Sequence, residues 1–319
     1  MLAAIVYGCR LPDSYIDEHE EIIEEGDLIE WTKDQNIWIY SQMKYHYLWC
    51  DELKDSLDYD YTLEPSRFYE SMKVPQDRFS YCTVNDEFVD TKGTDLNESV
   101  VVDSVYMRDG LAIGYFKYAQ FATETDLTDI VLPMKEAGIQ ELIIDLRGNP
   151  GGYVSTCIQL ASYIAPMETL GKVFCVLKYN RNVSAQRQKE YGTPYTYYYL
   201  KDDVVTKGRN LGLKRVLFLA DGRSASCSEL LVNCIAPYLP VVLIGTTTVG
   251  KDVGMYSLKG RKYKYILEPI TFRSYNADDI PVPVTGLVPD IEVTQTPFIR
   301  DGKTIDPALE AAFAYIDNN

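Results

Sequence analysis

The sequence predicts an α/β protein, with a mainly parallel sheet at its core and a small helical unit ahead of it. Three observations carry that prediction. From about residue 110, β-branched apolar runs alternate with amphipathic stretches of helical length, the pattern of βαβ units. Three of those runs each end in a loop rich in glycine or in small hydroxyl residues. Before them, aromatic and apolar residues recur at helical rather than strand spacing.

The elements follow in order. "MLAAIVYGC" is a short apolar run ending at Cys9, shaped like the tail of a bacterial lipoprotein signal but lacking a basic start. A truncated leader with a lipid anchor at Cys9 is the expectation, and a chance likeness is the other reading. Residues 17–30, "DEHEEIIEEGDLIE", are strongly acidic and read as a solvated lead-in or first helix, so 1–25 is set apart as leader and lead-in. Asp34, Ile37, Tyr40, Lys44, Tyr45 and Leu48 then mark a helix, with Trp38 and Trp49 adding bulk. A second short helix opens at Pro65-Ser66 and carries Phe68 and Met72, so 26–81 forms a helical unit whose aromatic stripes are core.

Residues 82–104 are an irregular linker closing in the β-branched run "SVVVDSV", and 105–319 forms the main core. "GLAIGYFKY" (110–118) is a strand, and 125–137 a helix kinked at Pro133 and stopped by Gly138. The strand "ELIIDL" (141–146) leads into "RGNPGG" and the apolar-periodic helix "YVSTCIQLASYIA". A tyrosine-rich excursion (173–205) includes "YGTPYTYYYL", read as a strand with a flanking turn. The strand "RVLFLA" (215–220) precedes "DGRSASCSELLVNCIAPYL", with a helix over 226–236. "VVLIG" (241–245) precedes "TTTVGKD", and "VGMYSLKGRKYKYILEP" alternates like strands. A final helix over 306–316 starts with Asp306 as cap and Pro307 at its first position.

Bulk properties narrow the function. The formal net charge of −16 argues against a nucleic-acid partner, since phosphate binding is largely electrostatic. Seven cysteines without C-x-x-C pairs suggest no zinc or iron–sulfur framework, and Cys227 and Cys234, two turns apart on one helix, are badly placed to bridge. Apart from the leader, no stretch approaches the length of about 18 apolar residues needed to span a membrane.

Ligands of parallel sheets bind beyond the carboxyl ends of the strands, where the three unusual loops emerge. "GTTTVGKD" (245–252) is one residue short of a phosphate-binding loop. The hydroxyl that should follow the lysine is Asp252, which repels phosphate, and no helix follows. A nucleotide is therefore not expected. The alternative is a serine nucleophile. Ser226 stands where a helix N-terminus favours a developing negative charge. Its proton needs a base, and the two histidines, His19 and His46, lie in the N-terminal region. Lys251 serves if burial favours its neutral form. Backbone N–H groups of Gly151 or Gly152, from "NPGG", complete an oxyanion hole with that of Cys227. Each feature has a plainer reading when taken singly: Ser226 and Glu229 as a capping box, "NPGG" as a turn, Lys251 as a surface residue.

Together the motifs resemble the S41 family of serine peptidases, the C-terminal processing or tail-specific proteases. The likeness rests on Asp145-Leu146-Arg147-Gly148-Asn149-Pro150-Gly151-Gly152, on Ser224-Ala225-Ser226-Cys227-Ser228-Glu229, on Gly245, Thr248, Gly250 and Lys251, and on Gly286-Leu287-Val288-Pro289-Asp290-Ile291. It covers roughly residues 105–316, and "RFYESMKVPQDRFSY" (67–81) resembles the N-terminal unit of envelope members from Bacteroidetes-like bacteria. The resemblance implies a ClpP/crotonase-like core, Ser226 as nucleophile, Lys251 as general base, a peptide or protein substrate, no metal or other cofactor, and a periplasmic or outer-membrane lipoprotein location. Ser224, Ser228, Glu229 and Asn149 then support the site.

Three departures stand out. About two dozen residues separate Tyr81 from Val105, too few for the PDZ domain that many members insert there. Met255 stands where many members carry a glutamine that orients the lysine, so another group must hold Lys251. Cys227 replaces the usual alanine, leaving its backbone N–H available for the same role. The rival expectation is a non-catalytic relative that binds peptide or a partner protein in the same groove. A phosphate-loop ATPase is a distant third.

Overall fold

The structure, a computed structural model, describes residues 28–84, 99–122, 127–260, 265–293, 296–300 and 303–319. The expected leader, Cys9, His19 and most of the 82–104 linker lie outside the described residues.

The helical unit is built from α1 (Leu28–His46) and α2 (Pro65–Met72). Ile39, Met43 and Tyr47, each four residues apart, line one side of α1 and its end. They pack with Phe68, Tyr69 and Met72 of α2 in one buried cluster. Pro65 starts α2, and the Glu64 side chain caps it by accepting from the N–H groups of Ser66 and Arg67 at 3.1 and 3.2 Å.

After β1 (Tyr81–Val84), the antiparallel pair β2 (Val100–Arg108) and β3 (Leu111–Tyr118) turns at Asp109-Gly110, where both residues have positive φ. The chain continues through α3 (Thr128–Glu136), β4 (Glu141–Asp145), α4 (Val154–Ile164) and β5 (Val173–Tyr179). Next come α5 (Arg181–Tyr191), β6 (Thr196–Tyr199), α6 (Asp203–Thr206), β7 (Val216–Ala220) and α7 (Cys227–Ile235). β8 (Val241–Gly245), β9 (Val253–Met255), β10 (Leu258–Lys259), β11 (Tyr265–Glu268) and β12 (Ile270–Tyr275) follow. The chain ends in β13 (Ile291–Glu292), β14 (Phe298–Arg300), β15 (Lys303–Ile305) and α8 (Pro307–Asn318).

The central sheet runs β13-β8-β7-β4-β3-β2, parallel throughout except for β2 at its edge. Both faces of its inner strands β4, β7 and β8 are covered, which is why they read as apolar runs rather than alternating ones. Leu142 and Ile144 of β4 pack into the layer holding α4 and α7, whereas Ile143 faces Ala308, Ala312 and Phe313 of α8. The expected adjacency of the three loop-bearing strands is present. β4 pairs with β7 and β7 with β8, with Asp145 opposite Leu219 and Ala220 opposite Gly245, so their loops leave the sheet side by side.

A second, antiparallel sheet, β6-β5-β12-β9, links this core to the helical unit. The tyrosine-rich excursion holds more than the expected strand and turn: β5, β6 and the full helix α5 lie within it. α5 buries no residue, so apolar periodicity gave it no signal. Its marks are at its ends. The Asn180 side chain accepts from the Val183 N–H at 2.9 Å, and Gly192 closes the helix at φ 72°.

Candidate active site

The glycine loop after β4 is fixed before any ligand enters. Arg147 donates to Asp145 and, across the chain, to Asp306, at 2.6 Å in each case. Asp306 thus does more than the expected capping of α8, where it accepts from the N–H groups of Ala308 and Leu309. Burial alone would raise its pKa, but Arg147 and these N–H groups lower it by more. Fully buried Asn149 donates to the Tyr118 carbonyl at 2.8 Å and accepts the Gly151 N–H at 2.9 Å. Its own carbonyl accepts from the Ala225 N–H and the Ser228 hydroxyl, both at 3.0 Å. Ser224 ties the same two loops, donating to the Leu146 carbonyl at 2.8 Å.

These bonds press Gly151 against Ser226. A Cβ added at Gly151 would lie 2.8 Å from the Ser226 Cβ and 2.9 Å from the Cys227 nitrogen. Gly152 is confined from the other side, where an added Cβ would meet the Phe121 carbonyl oxygen at 2.0 Å. The two glycine amides differ in direction. Gly151 spends its N–H on Asn149. The Gly151 carbonyl accepts from the Phe121 N–H at 2.9 Å, and since the peptide is trans, the Gly152 N–H points away from Phe121.

Ser226, 1% exposed, is the residue before α7. Its backbone sits at φ 58°, ψ −115°, a sparsely populated region for a residue with a side chain. A capping serine ordinarily has extended backbone, so capping alone does not account for this strain. The expected reach-back by Glu229 is present, with its Oε2 accepting from the Ser226 N–H at 3.0 Å.

Glu229 does more than the capping box foresaw. Fully buried, it also accepts from the Gly250 N–H at 2.7 Å, from the Lys251 N–H at 2.8 Å and from the Thr248 hydroxyl. The loop that resembles a phosphate cradle therefore wraps an anion belonging to the protein. Ser226 and Lys251 donate their backbone N–H groups to the same carboxylate oxygen. Asp252, the residue that argued against a phosphate, is turned away into an ion pair with Arg273 at 2.7 Å, and burial raises its pKa despite that partner.

Lys251 is 2% exposed, so the reading of it as a surface lysine fails. Its Nζ stands 5.0 Å from the centre of the Phe79 ring. Arg78 donates to the Gly250 carbonyl at 2.6 Å and to that of Val284 at 3.3 Å. Arg78 and Phe79 were not among the expected site residues. Their only sequence signal was "RFYESMKVPQDRFSY", read for its likeness and not for its reach into the site. Met255 is fully buried and joins the cluster of Ile39, Met43, Tyr47 and Phe68. Cys227 points its thiol at the Gly152 carbonyl, 3.1 Å away.

A mainly parallel sheet under helices, with these loops gathered at its carboxyl edge, defines a ClpP/crotonase-like α/β core. Residues 112–293 match peptidase family S41 and residues 34–81 match the peptidase S41 N-terminal domain, so the chain belongs to peptidase family S41. The Bacillus subtilis carboxy-terminal processing protease CtpA is 28% identical over 158 residues, 48% of this chain and 29% of that protein. A probable CtpA-like serine protease of Staphylococcus aureus (strain COL) is 23% identical over 158 residues, 49% of this chain and 28% of that protein. The alignment thus takes in under a third of these curated relatives' length. In fold, the chain is similar to a putative S41 protease from Bacteroides fragilis, with a TM-score of 0.73 at 19% identity, covering 96% of this chain and 99% of that one. A lipoprotein from Streptococcus agalactiae shares the fold at a TM-score of 0.57 and 11% identity, covering 94% and 99%.

Proposed function

We propose that the chain is a serine endopeptidase acting on peptide or protein substrates through Ser226 and Lys251. The observation that carries this reading is the Glu229 carboxylate, which accepts from the backbone of both residues and joins the strained serine turn to the buried lysine loop. Burial disfavours an ammonium ion, which suits Lys251 to receive a proton.

The Ser226 hydroxyl oxygen attacks the scissile carbonyl carbon while Lys251 Nζ takes its proton. The oxyanion accepts from the N–H groups of Gly152 and Cys227; Gly151, whose N–H goes to Asn149, serves by its lack of a side chain. When the intermediate collapses, the C–N bond breaks and Lys251 returns the proton to the leaving amine. Water then attacks the acyl-enzyme, with Lys251 again as base. Ser224, Ser228 and Asn149 hold the loops together. Among the described residues no helix is long and apolar enough to cross a membrane. The proposed setting is the bacterial cell envelope, with a lipid anchor proposed at Cys9, in line with the Streptococcus agalactiae lipoprotein of the same fold.

A fluorophosphonate probe tests the reading beside Ser226→Ala and Lys251→Ala. Wild type labels and both variants stay unlabelled if the proposal holds. The second reading, a non-catalytic relative that binds peptide, is favoured by the near-complete burial of Ser226. A folded wild type that binds peptide but never labels would establish that reading instead.

A further inference from the structure

We propose that the helical unit supplies part of the active site itself: the Phe79 ring faces Lys251 Nζ and stabilises the ammonium ion formed when Lys251 takes the serine proton. The inference rests on Lys251 being the general base, and it adds a residue that none of the strand-edge motifs contains.

The contact is built rather than incidental. Asp77 shapes the turn, with its Oδ1 accepting from the N–H groups of Phe79 and Ser80 at 3.1 and 2.9 Å. Its Oδ2 accepts from the Tyr47 hydroxyl at 2.7 Å, which pins the turn to the core of the helical unit. The Ser80 hydroxyl oxygen accepts from the Ile270 N–H at 2.8 Å, fastening the far side to β12. Between these anchors, Arg78 lies over Phe79, 4.6 Å from the ring centre, and clamps the Gly250 carbonyl from 172 residues away. Phe79 is thereby held against the side chain that follows Gly250.

The consequence for catalysis comes from timing. An aromatic face attracts a cation and is nearly indifferent to a neutral amine. The attraction is therefore strongest when Lys251 has received its proton, so the contact stabilises charge that develops during reaction. The ionic groups nearby are Glu229 on the Lys251 N–H, Arg78 on the preceding carbonyl, Asp77 beneath the turn, and Asp252 paired with Arg273. Of these, Arg78 alone shares the Phe79 ring, and its bond to the Gly250 carbonyl does not involve that ring.

The test reads Lys251 directly, by NMR titration of the full chain carrying 13C-labelled lysine, with the signal assigned by its loss in Lys251→Ala. Replacing Phe79 with Leu removes the ring face and retains apolar bulk. The expected result is a fall in the Lys251 midpoint of about half to one pH unit, with Phe79→Trp at or above wild type. The opposite sign would overturn the inference: a leucine that merely loosens the site admits water and moves the midpoint up, toward the free-lysine value of about 10.4. An unmoved midpoint in a folded Phe79→Leu protein would overturn it too. Fluorophosphonate labelling, in which a Ser226 O–P bond forms and fluoride leaves, should slow several-fold in Phe79→Leu. Should Lys251→Ala label at the wild-type rate, the base assignment fails by itself, while the titration still reports on the ring.

Discussion

The carboxyl edge of the parallel sheet and the underside of the helical unit meet at Lys251, and they are made of opposite material. At the sheet edge the buried side chains are polar: Asp145, Asn149, Ser224, Ser226, Ser228, Glu229 and Thr248. Each of the loops there is held by hydrogen bonds to its neighbours, so burial is tolerated because the donors and acceptors are matched. On the helical side Ile39, Met43, Phe68 and Met255 are held by packing, and Tyr47 adds a hydrogen bond to Asp77. The polar edge fixes the backbones of Ser226 and Lys251, and the helical side places one aromatic ring, that of Phe79, 5.0 Å from Lys251 Nζ. The site is thus a seam between two kinds of cohesion, and each should fail in its own way.

The sharpest break comes from Glu229→Ala. It orphans the N–H groups of Ser226, Gly250 and Lys251 together with the Thr248 hydroxyl, in a place water does not reach. The expected cost is about 3–5 kcal/mol of unfolding free energy, read from denaturant melts, with loss of fluorophosphonate labelling even where the fold survives. Retained labelling would mean that the carboxylate does not join the two loops.

Acid should separate the two regions. Burial lowers the pKa of His46, at the end of α1, from 6.5 to about 4. Between those values the unfolded chain binds the proton and the folded one does not, so stability falls as pH drops through that window, by up to about 3 kcal/mol. At the sheet edge, Asp221 and Asp306 have pKa values lowered despite burial, by backbone N–H groups and by Arg223 and Arg147 respectively. Their stabilisation is full above the ordinary aspartate value of about 4 and is lost progressively as pH falls from there toward their lowered folded values. All three tryptophans, Trp31, Trp38 and Trp49, belong to the helical unit. Their fluorescence should therefore change at higher pH than the far-ultraviolet circular dichroism of the whole chain. Coincident transitions would contradict the separation.

The smallest effect is expected at Met255. Replacing it with Gln puts an amide into an apolar cluster and should cost about 1–3 kcal/mol. Faster labelling without that cost would show that the position serves the lysine and not the helical core.

The same division explains what was legible in the sequence. The sheet edge was readable because its parts are local. Each strand is followed at once by its loop, and Ser226 and Glu229 are three residues apart on one helix start. In the helical unit, spacing located the core of α2, where Phe68 and Met72 are buried as expected, but not that of α1: Ile37 and Tyr45 of the expected stripe are exposed, and Ile39, Met43 and Tyr47 are the buried residues. What crosses between distant segments was not readable. Glu229 gathers a loop some twenty residues on, and nothing in "SCSE" foretells it. Gly151 and Gly152 were interchangeable until the Asn149 side chain took one of their N–H groups. Phe79 lies 172 positions before Lys251, and its role depends on a turn shaped by Asp77. Helix α5 leaves no periodic signal because it turns no apolar stripe inward.

Arg147 carries a consequence for the order in which the protein is made. Its guanidinium joins the glycine loop to Asp306, a partner 159 residues later in the chain. A ribosome delivers Gly152, Ser226 and Lys251 well before it delivers Asp306. While the chain is still growing, every residue proposed for the chemistry has already been polymerised, yet the clasp that seats the first of the three loops is still missing. The start of α8 thus supplies one anchor of a loop laid down 159 residues earlier, and the loop gains that anchor only once the helix start has been synthesised.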